Sequence, residues 1–153
     1  MPSPPDPDTV SVVVPSYRRV ADRARCLDAL ERQSHRPFEV IVVLREDDLE
    51  TGALLDRRPE GRLALRRAHP PRGGVVAAYN TGLDVTRGAI VAITDDDAAP
   101  HPDWLARIVR RFRDDPALGG LGGRDVLHVR GEPVTGNHPR VGEVQWFGRT
   151  FGN

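Results

Sequence analysis

The sequence predicts an α/β fold in which a mostly parallel sheet is covered by helices on both faces. Three observations carry this. The runs Val10 to Val14, polar only at Ser11, and Val40 to Leu44 are short and rich in β-branched residues, as suits strands buried on both faces, and Ala89 to Ile93 is a further apolar run. Segments with helical spacing lie between them. Strand and helix alternate at least three times along the chain.

In order, Met1 to Thr9 carries four prolines and reads as a disordered lead-in to a single domain over residues 10–153. The first strand, Val10 to Val14, is expected to stop at Pro15. Val20, Ala24, Leu27 and Leu30 recur at helical spacing and predict a helix over Val20 to Gln33, with Cys26 beside the stripe. Val40 to Leu44 is the second strand, followed by a charged loop, Arg45 to Asp48, and a short helix near Leu49 to Asp56. Leu63 to Ala68 reads as a third strand, at an edge because of its arginines. Gly73-Gly74 opens a helix through Val75, Ala78, Tyr79 and Leu83. Ala89 to Ile93 leads into Asp95-Asp96-Asp97. Pro102-Asp103 predicts a helix start with Trp104, Leu105, Ile108, Val109 and Phe112 facing the core, ended by Asp114-Asp115-Pro116. After the glycine run Gly119 to Gly123, Val126 to Val129 and Val144 to Phe147 are weaker strand candidates.

Composition narrows the function. Of 153 residues, 39% are hydrophobic and 29% charged, an ordinary globular balance. Lys plus Arg and Asp plus Glu both total 22, so net charge gives no support for a nucleic-acid partner. The single cysteine, Cys26, excludes an intrachain disulfide and fits a reducing, cytoplasmic setting. No apolar run approaches the ~18 residues of a membrane span, which leaves peripheral membrane contact open. The five histidines make no metal-binding spacing, and no nucleophile elbow or P-loop is present.

In open α/β sheets ligands bind beyond the carboxyl ends of the strands. Asp95-Asp96-Asp97 is the most informative of these ends. Adjacent carboxylates repel, and a hard divalent cation with oxygen ligands offsets that repulsion. In extended geometry Asp95 and Asp97 point to one side and Asp96 to the other. The outer pair then shares a metal or a metal-bound diphosphate. From spacing alone an acidic loop or helix cap fits as well. Gly73-Gly74 suits close approach of backbone amides to an anion or an ordinary helix-start turn. Asn80, polar on a partly apolar helix, bonds a ligand or faces water. His101 lies near the triplet and reads as a surface residue.

Together, Val12 to Arg19 (VVVPSYRR), Glu39 to Val43, Gly74 through Asn80-Thr81-Gly82, Ile93 to Asp97, and Pro100 to Leu105 resemble glycosyltransferase family 2, the inverting enzymes with the GT-A fold. The resemblance runs from Val10 to about Gly123. It implies a Rossmann-like three-layer sandwich binding a nucleotide-sugar donor with Mn²⁺ or Mg²⁺, and transfer of the sugar to a saccharide, lipid or other hydroxyl acceptor. Pro15 and Tyr17 are implied to line the nucleotide pocket, with Arg18 beside them. Asp95 and Asp97 match the D-x-D motif as metal ligands, with Asp95 and Asp96 near ribose and diphosphate. The family's acidic pair after the second strand is replaced by Leu44-Arg45. That leaves either Arg45 on base or phosphate, or Asp48 reaching back. The resemblance also places the acceptor half and the general base beyond Asn153, so the catalytic base is unassigned and the chain is expected to be a truncated domain. Two other functions fit less of the sequence. One is a non-catalytic nucleotide-sugar-binding module acting through a partner. The other is a nucleotidyltransferase, disfavoured because Pro15 to Arg19 lacks that class's glycines.

Overall fold

Val10, Val12, Val13 and Val14 are fully buried, and so are Val40, Ile41 and Val42. Strand side chains alternate between faces, so two neighbouring strands apolar at successive positions need cover on both sides. The computed structural model supplies it, and describes residues 6–18, 20–58, 63–123, 126, 128–129 and 132–133. The chain divides into two compact units, Met1–Gly119 and Gly120–Asn153.

The first unit runs β1 (Val10–Ser16), α1 (Val20–Glu31), β2 (Phe38–Leu44), α2 (Leu49–Asp56), β3 (Ala64–Ala68), α3 (Val75–Asp84), β4 (Ile90–Ile93) and α4 (Trp104–Asp114). The four strands form one parallel sheet in the order β3-β2-β1-β4. The chain therefore winds outward from β1 to β3, then returns through α3 to the other side of β1. That reversal puts a topological switch point between β1 and β4. In the second unit β5 (His128–Val129) pairs antiparallel with β6 (Glu132–Pro133). The strand expected at Val144 to Phe147 lies outside the described residues.

Helices cover both faces. On one, Cys26, Leu27 and Leu30 of α1, Leu55 of α2, and Leu105 and Val109 of α4 pack on Val10, Val12, Val14, Val40 and Val42. On the other, Val13, Ile41, Val43 and Ala68 meet Ala78 and Val85. Here α3 lies so close that a Cβ on Gly82 would stand 2.4 Å from Val13 Cγ1 and 3.1 Å from Val43 Cγ2. Among the described residues no helix is long and apolar enough to cross a membrane.

The elements of the first unit occur in the expected order with ends shifted by a residue or two, Val91 and Ile93 leave one face of β4 exposed, and four further particulars differ. First, β1 continues through Pro15 to Ser16. Val13 O accepts the Thr94 amide, so odd-numbered residues turn their backbone groups toward β4. The N–H that Pro15 lacks falls on that side, past the last β1–β4 pair at Val13↔Ile93, and no ladder bond is lost. Second, the buried face of α1 is Arg23, Cys26, Leu27 and Leu30, with Ala24 only half-buried. Third, Val75 and Leu83 of α3 are exposed, because α3 meets the sheet along Ala78 and Gly82. Fourth, Asp6–Thr9, read as part of a disordered lead-in, makes a turn from Asp6 O to Thr9 N, and Asp8 pairs with Arg113 of α4.

Local polar bonds set the helix starts. Asp103 precedes α4 but makes no side-chain cap; it bonds His101 and Arg107 instead. Gln33, buried two residues past α1, supplies the missing partner: its Oε1 accepts the Leu105 amide at 3.0 Å and its Nε2 donates to His101 O at 2.8 Å. Asp48 caps α2, accepting the Thr51 amide on Oδ1 at 3.2 Å and the Arg18 amide on Oδ2 at 2.9 Å. Burial alone would raise the Asp48 carboxyl, but the bonds from Arg18 and Thr51 and the charge of Arg23 outweigh it and hold the carboxyl below its ordinary value.

Two outcomes are expected. Gly82→Ala should lower stability by about 1–3 kcal/mol through overpacking against Val13 and Val43, read as a lower urea midpoint at unchanged m-value. Asp48→Ala should cost about 1–2 kcal/mol near neutral pH. Because the folded Asp48 pKa is depressed, its contribution is complete above the unfolded value of 3.8 and is lost as pH falls through the folded one. The difference between parent and variant in urea unfolding should therefore shrink between about pH 6 and about pH 3; a constant difference would contradict the assignment.

Candidate functional site at the carboxyl ends of the strands

Three loops leave the sheet at its carboxyl edge. The β1–α1 loop carries Tyr17 and Arg18, the β2–α2 loop carries Arg45 to Asp48, and the loop after β4 carries Asp95 to Asp97. The β3–α3 connection brings Gly73 and Gly74 to the same side.

The acidic triplet alternates as its spacing predicts. Asp95 and Asp97 are exposed, whereas Asp96 is 5% exposed. A turn closed by the Ala98 amide on Asp95 O shapes the loop. Asp96 points inward and accepts a short hydrogen bond from Ser16 Oγ. It also lies 3.6 Å from Arg23 Nη2. The Arg23 side chain is fully buried, donates from Nε to Ser16 Oγ at 2.6 Å and from Nη2 to the same oxygen, and faces Asp48 at 4.0 Å. Burial pulls its guanidinium below the ordinary arginine range, and the charges of Asp48 and Asp96 act in the opposite direction.

Of the expected donor contacts, Asp48 and Asp96 are both buried and engaged with the protein itself, while Asp48 also lines the cleft beside Arg45. Asp95 has a partner the sequence reading missed: Tyr79 of α3 bonds its carboxylate. Burial, followed by the Asp95 charge and that bond, pushes the Tyr79 phenol above its usual value. Arg23 was missed as well. Its signal was present, since it shares the i, i+3, i+4, i+7 face with Cys26, Leu27 and Leu30, but arginine on such a face is normally assigned to solvent.

The remaining candidates form an open basic and aromatic cluster. Tyr17 is 46% exposed, with the Arg18 guanidinium 5.0 Å and the Arg45 guanidinium 5.5 Å from its ring centre. Pro15, at the end of β1, is half-buried. Arg18 adopts a left-handed backbone, φ 54°, uncommon for a side-chain-bearing residue, with its amide on Asp48. Arg45 is exposed and bonds Asp47 through two nitrogens, both at 2.8 Å. A Cβ on Gly73 would meet Arg45 Nη1 at 3.0 Å, so this arginine sits against the start of α3. Gly74 caps α3 at φ 115°, ψ 146°, a region essentially restricted to glycine. Asn80 is exposed on α3. Beside Arg45 a cleft of about 310 Å³ is lined by Leu44, Asp48, Leu49, Arg67 and His69, and His69 Nδ1 lies 2.9 Å from Leu44 O. His101 is exposed and engages Asp103.

A buried thiol lies under the acidic loop. Cys26 Sγ is 3.5 Å from Asp95 O, and burial, then the neighbouring carboxylates, push its pKa up to about 12. It is a packing group and no nucleophile at neutral pH.

Comparison with known proteins supplies the family. Residues 11–140 match the glycosyl transferase family 2 profile. The glucosyl-dolichyl phosphate glucuronosyltransferase of Haloferax volcanii is 25% identical over 116 residues, 74% of this chain and 37% of its own length. The succinoglycan biosynthesis protein ExoM of Rhizobium meliloti is 30% identical, over 74% of this chain and 38% of its own. Among solved structures, the mannosyltransferase PcManGT from Pyrobaculum calidifontis, in complex with GDP-Man and Mn²⁺, superposes with a TM-score of 0.66 at 34% identity, over 75% of this chain and 36% of that one. TarS of S. aureus, in complex with UDP-GlcNAc, gives 0.62 at 21% identity, over 78% and 37%. The chain thus spans little more than a third of the relatives it matches. With a profile match over most of its length and a parallel sheet shared with these transferases, the chain belongs to glycosyl transferase family 2 and carries its GT-A fold.

Proposed function

We propose that this chain binds a nucleoside-diphosphate sugar together with Mn²⁺ or Mg²⁺, and that the intact protein transfers the sugar to an acceptor hydroxyl with inversion. The observation that carries the reading is the outward pair Asp95 and Asp97, set at the end of β4 around an inward Asp96.

The donor set suits a metal that arrives with its ligand. Among the described residues no group of three or more His, Cys, Asp or Glu side chains is arranged to hold an ion. Mg²⁺-type sites commonly take one or two carboxylates and complete the shell with substrate phosphates and water. Asp95 and Asp97 would hold the ion, and the ion would stabilise the charge that develops on the departing diphosphate.

The chain's own groups fit the rest of such a ligand. Arg18, Arg45 and the amino end of α3 present positive charge to a diphosphate. Tyr17 offers an aromatic face to a base, and the cleft beside Arg45 and His69 has room for part of a nucleotide. Support also comes from the PcManGT complex, whose ligands are a nucleotide sugar and Mn²⁺. The acceptor is a saccharide, lipid or other hydroxyl compound, met in the cytoplasm or at a membrane surface.

Calorimetry with UDP-, GDP- and dTDP-sugars, with and without Mn²⁺, tests the binding step. Metal-dependent binding of at least one is expected, and its absence for all would sink the reading. Asp97→Ala should weaken the metal-dependent binding by at least about tenfold, since even outer-shell changes at metal sites cost 10–100-fold. Its thermal stability should stay close to the parent's, because Asp97 is exposed and its removal relieves repulsion.

A further inference from the structure

Arg23 is the one fully buried arginine among the described residues, and it sits under all three loops of the site. We propose that Arg23 is a positioning residue for the donor site, orienting Asp95 and Asp97 through Asp96 and setting Tyr17 and Arg18 through Ser16 and Asp48. The proposal rests on the reading of Asp95 and Asp97 as the metal–diphosphate pair.

The geometry gives each link. A hydroxyl carries one donor and two acceptor sites. Ser16 Oγ uses all three: it accepts from Arg23 Nε and Nη2 and donates to Asp96. A carboxylate buried to the extent of Asp96 needs a countercharge, and Arg23 Nη2 supplies it at 3.6 Å. With Asp96 fixed inward, its neighbours on either side are turned outward, as their exposure shows. Without the guanidinium, the inward turn of Asp96 would lose its countercharge, and a turn toward water would re-aim Asp95 and Asp97. The same guanidinium faces Asp48, whose Oδ2 holds the Arg18 amide in its left-handed conformation. Ser16 directly precedes Tyr17. One side chain on α1 therefore fixes residues from the β1, β2 and β4 loops.

The test compares affinity for UDP and GDP with and without Mn²⁺ in the parent, in Arg23→Lys and in Ser16→Ala. Lysine keeps the charge but loses the planar fork that reaches Ser16 twice. Alanine removes the hydroxyl and leaves every charge in place. Circular dichroism and melting establish that each variant is folded. A positioning role predicts that the enhancement of affinity by Mn²⁺ falls about tenfold or more, while metal-independent nucleotide binding changes much less. A purely structural role would lower melting temperature and leave that ratio unchanged, and an unchanged ratio in either folded variant overturns the proposal. If Arg23→Lys does not fold, Ser16→Ala decides on the same ratio; if neither folds, the network is a core element and the proposal fails. A parent whose affinity is indifferent to Mn²⁺ would overturn the donor reading itself, whereas a parent with strong enhancement that Arg23→Lys retains would overturn only the role of Arg23.

Discussion

A full positive charge lies beneath the carboxyl edge of the sheet, and the loops above it supply its partners, although its buried Nη1 has no hydrogen bond among the described residues. An isolated guanidinium in an apolar interior carries a desolvation penalty of several kcal/mol, and the group persists there only with partners. Arg23 has Asp48, Asp96 and two bonds to Ser16. These partners come from the ends of β2, β4 and β1 respectively. Apolar packing of α1, α2 and α4 brings the elements together, but it is tolerant of small slides. A charge network with fixed hydrogen-bond directions is less tolerant, so it sets the loops where packing sets only the layers.

The sheet order makes that arrangement possible. With β1 between β2 and β4, its carboxyl end neighbours both of the other loops, and α1, which follows directly, can send a side chain back beneath them. α3 crosses to the opposite face and approaches Val13 and Val43 at Gly82, a contact only a residue without a side chain allows. Gly73, just before its N-cap, then stands against Arg45, while its Tyr79 reaches Asp95. One crossover thus delivers both a helix amino end and a phenol to the edge where the acidic loop emerges.

The layers were legible in the sequence because burial on both faces leaves a coarse pattern. Val40 to Leu44 has no polar interruption and Val10 to Val14 has only Ser11, and runs so short and so rich in β-branched residues suit a strand covered on both faces. The alternation of Asp95, Asp96 and Asp97 was legible for a similar reason: it follows from backbone direction alone. What failed was pairing across the chain. Arg23 reads as solvent-facing until Asp48 and Asp96, 25 and 73 residues further on, are known to lie against it. The inward turn of Asp48 and Asp96 is equally hidden, because a carboxylate at a strand end announces its charge but not its direction. Pro15 misled in the opposite sense. Proline ends a strand only where its missing N–H faces a partner, and β4 ends before that point.

The inward turn of Asp96 also bears on why three consecutive carboxylates are tolerable. Two unit charges about 4 Å apart repel by about 4 kcal/mol at an effective dielectric near 20. Three such groups exposed side by side would disfavour any ordered loop. Pairing the middle one with Arg23 and Ser16 removes it from that balance and leaves two like charges separated by one residue, both open to solvent. That pair still repels, and water screens it only in part. The loop thus presents two like charges at its surface. On the proposed reading a divalent cation shared with a diphosphate would neutralise them, because the ion meets both carboxylates and the phosphates at once. A monovalent partner such as a lysine would neutralise one carboxylate and leave the other. The buried half of the triplet thus determines what its exposed half is suited to bind.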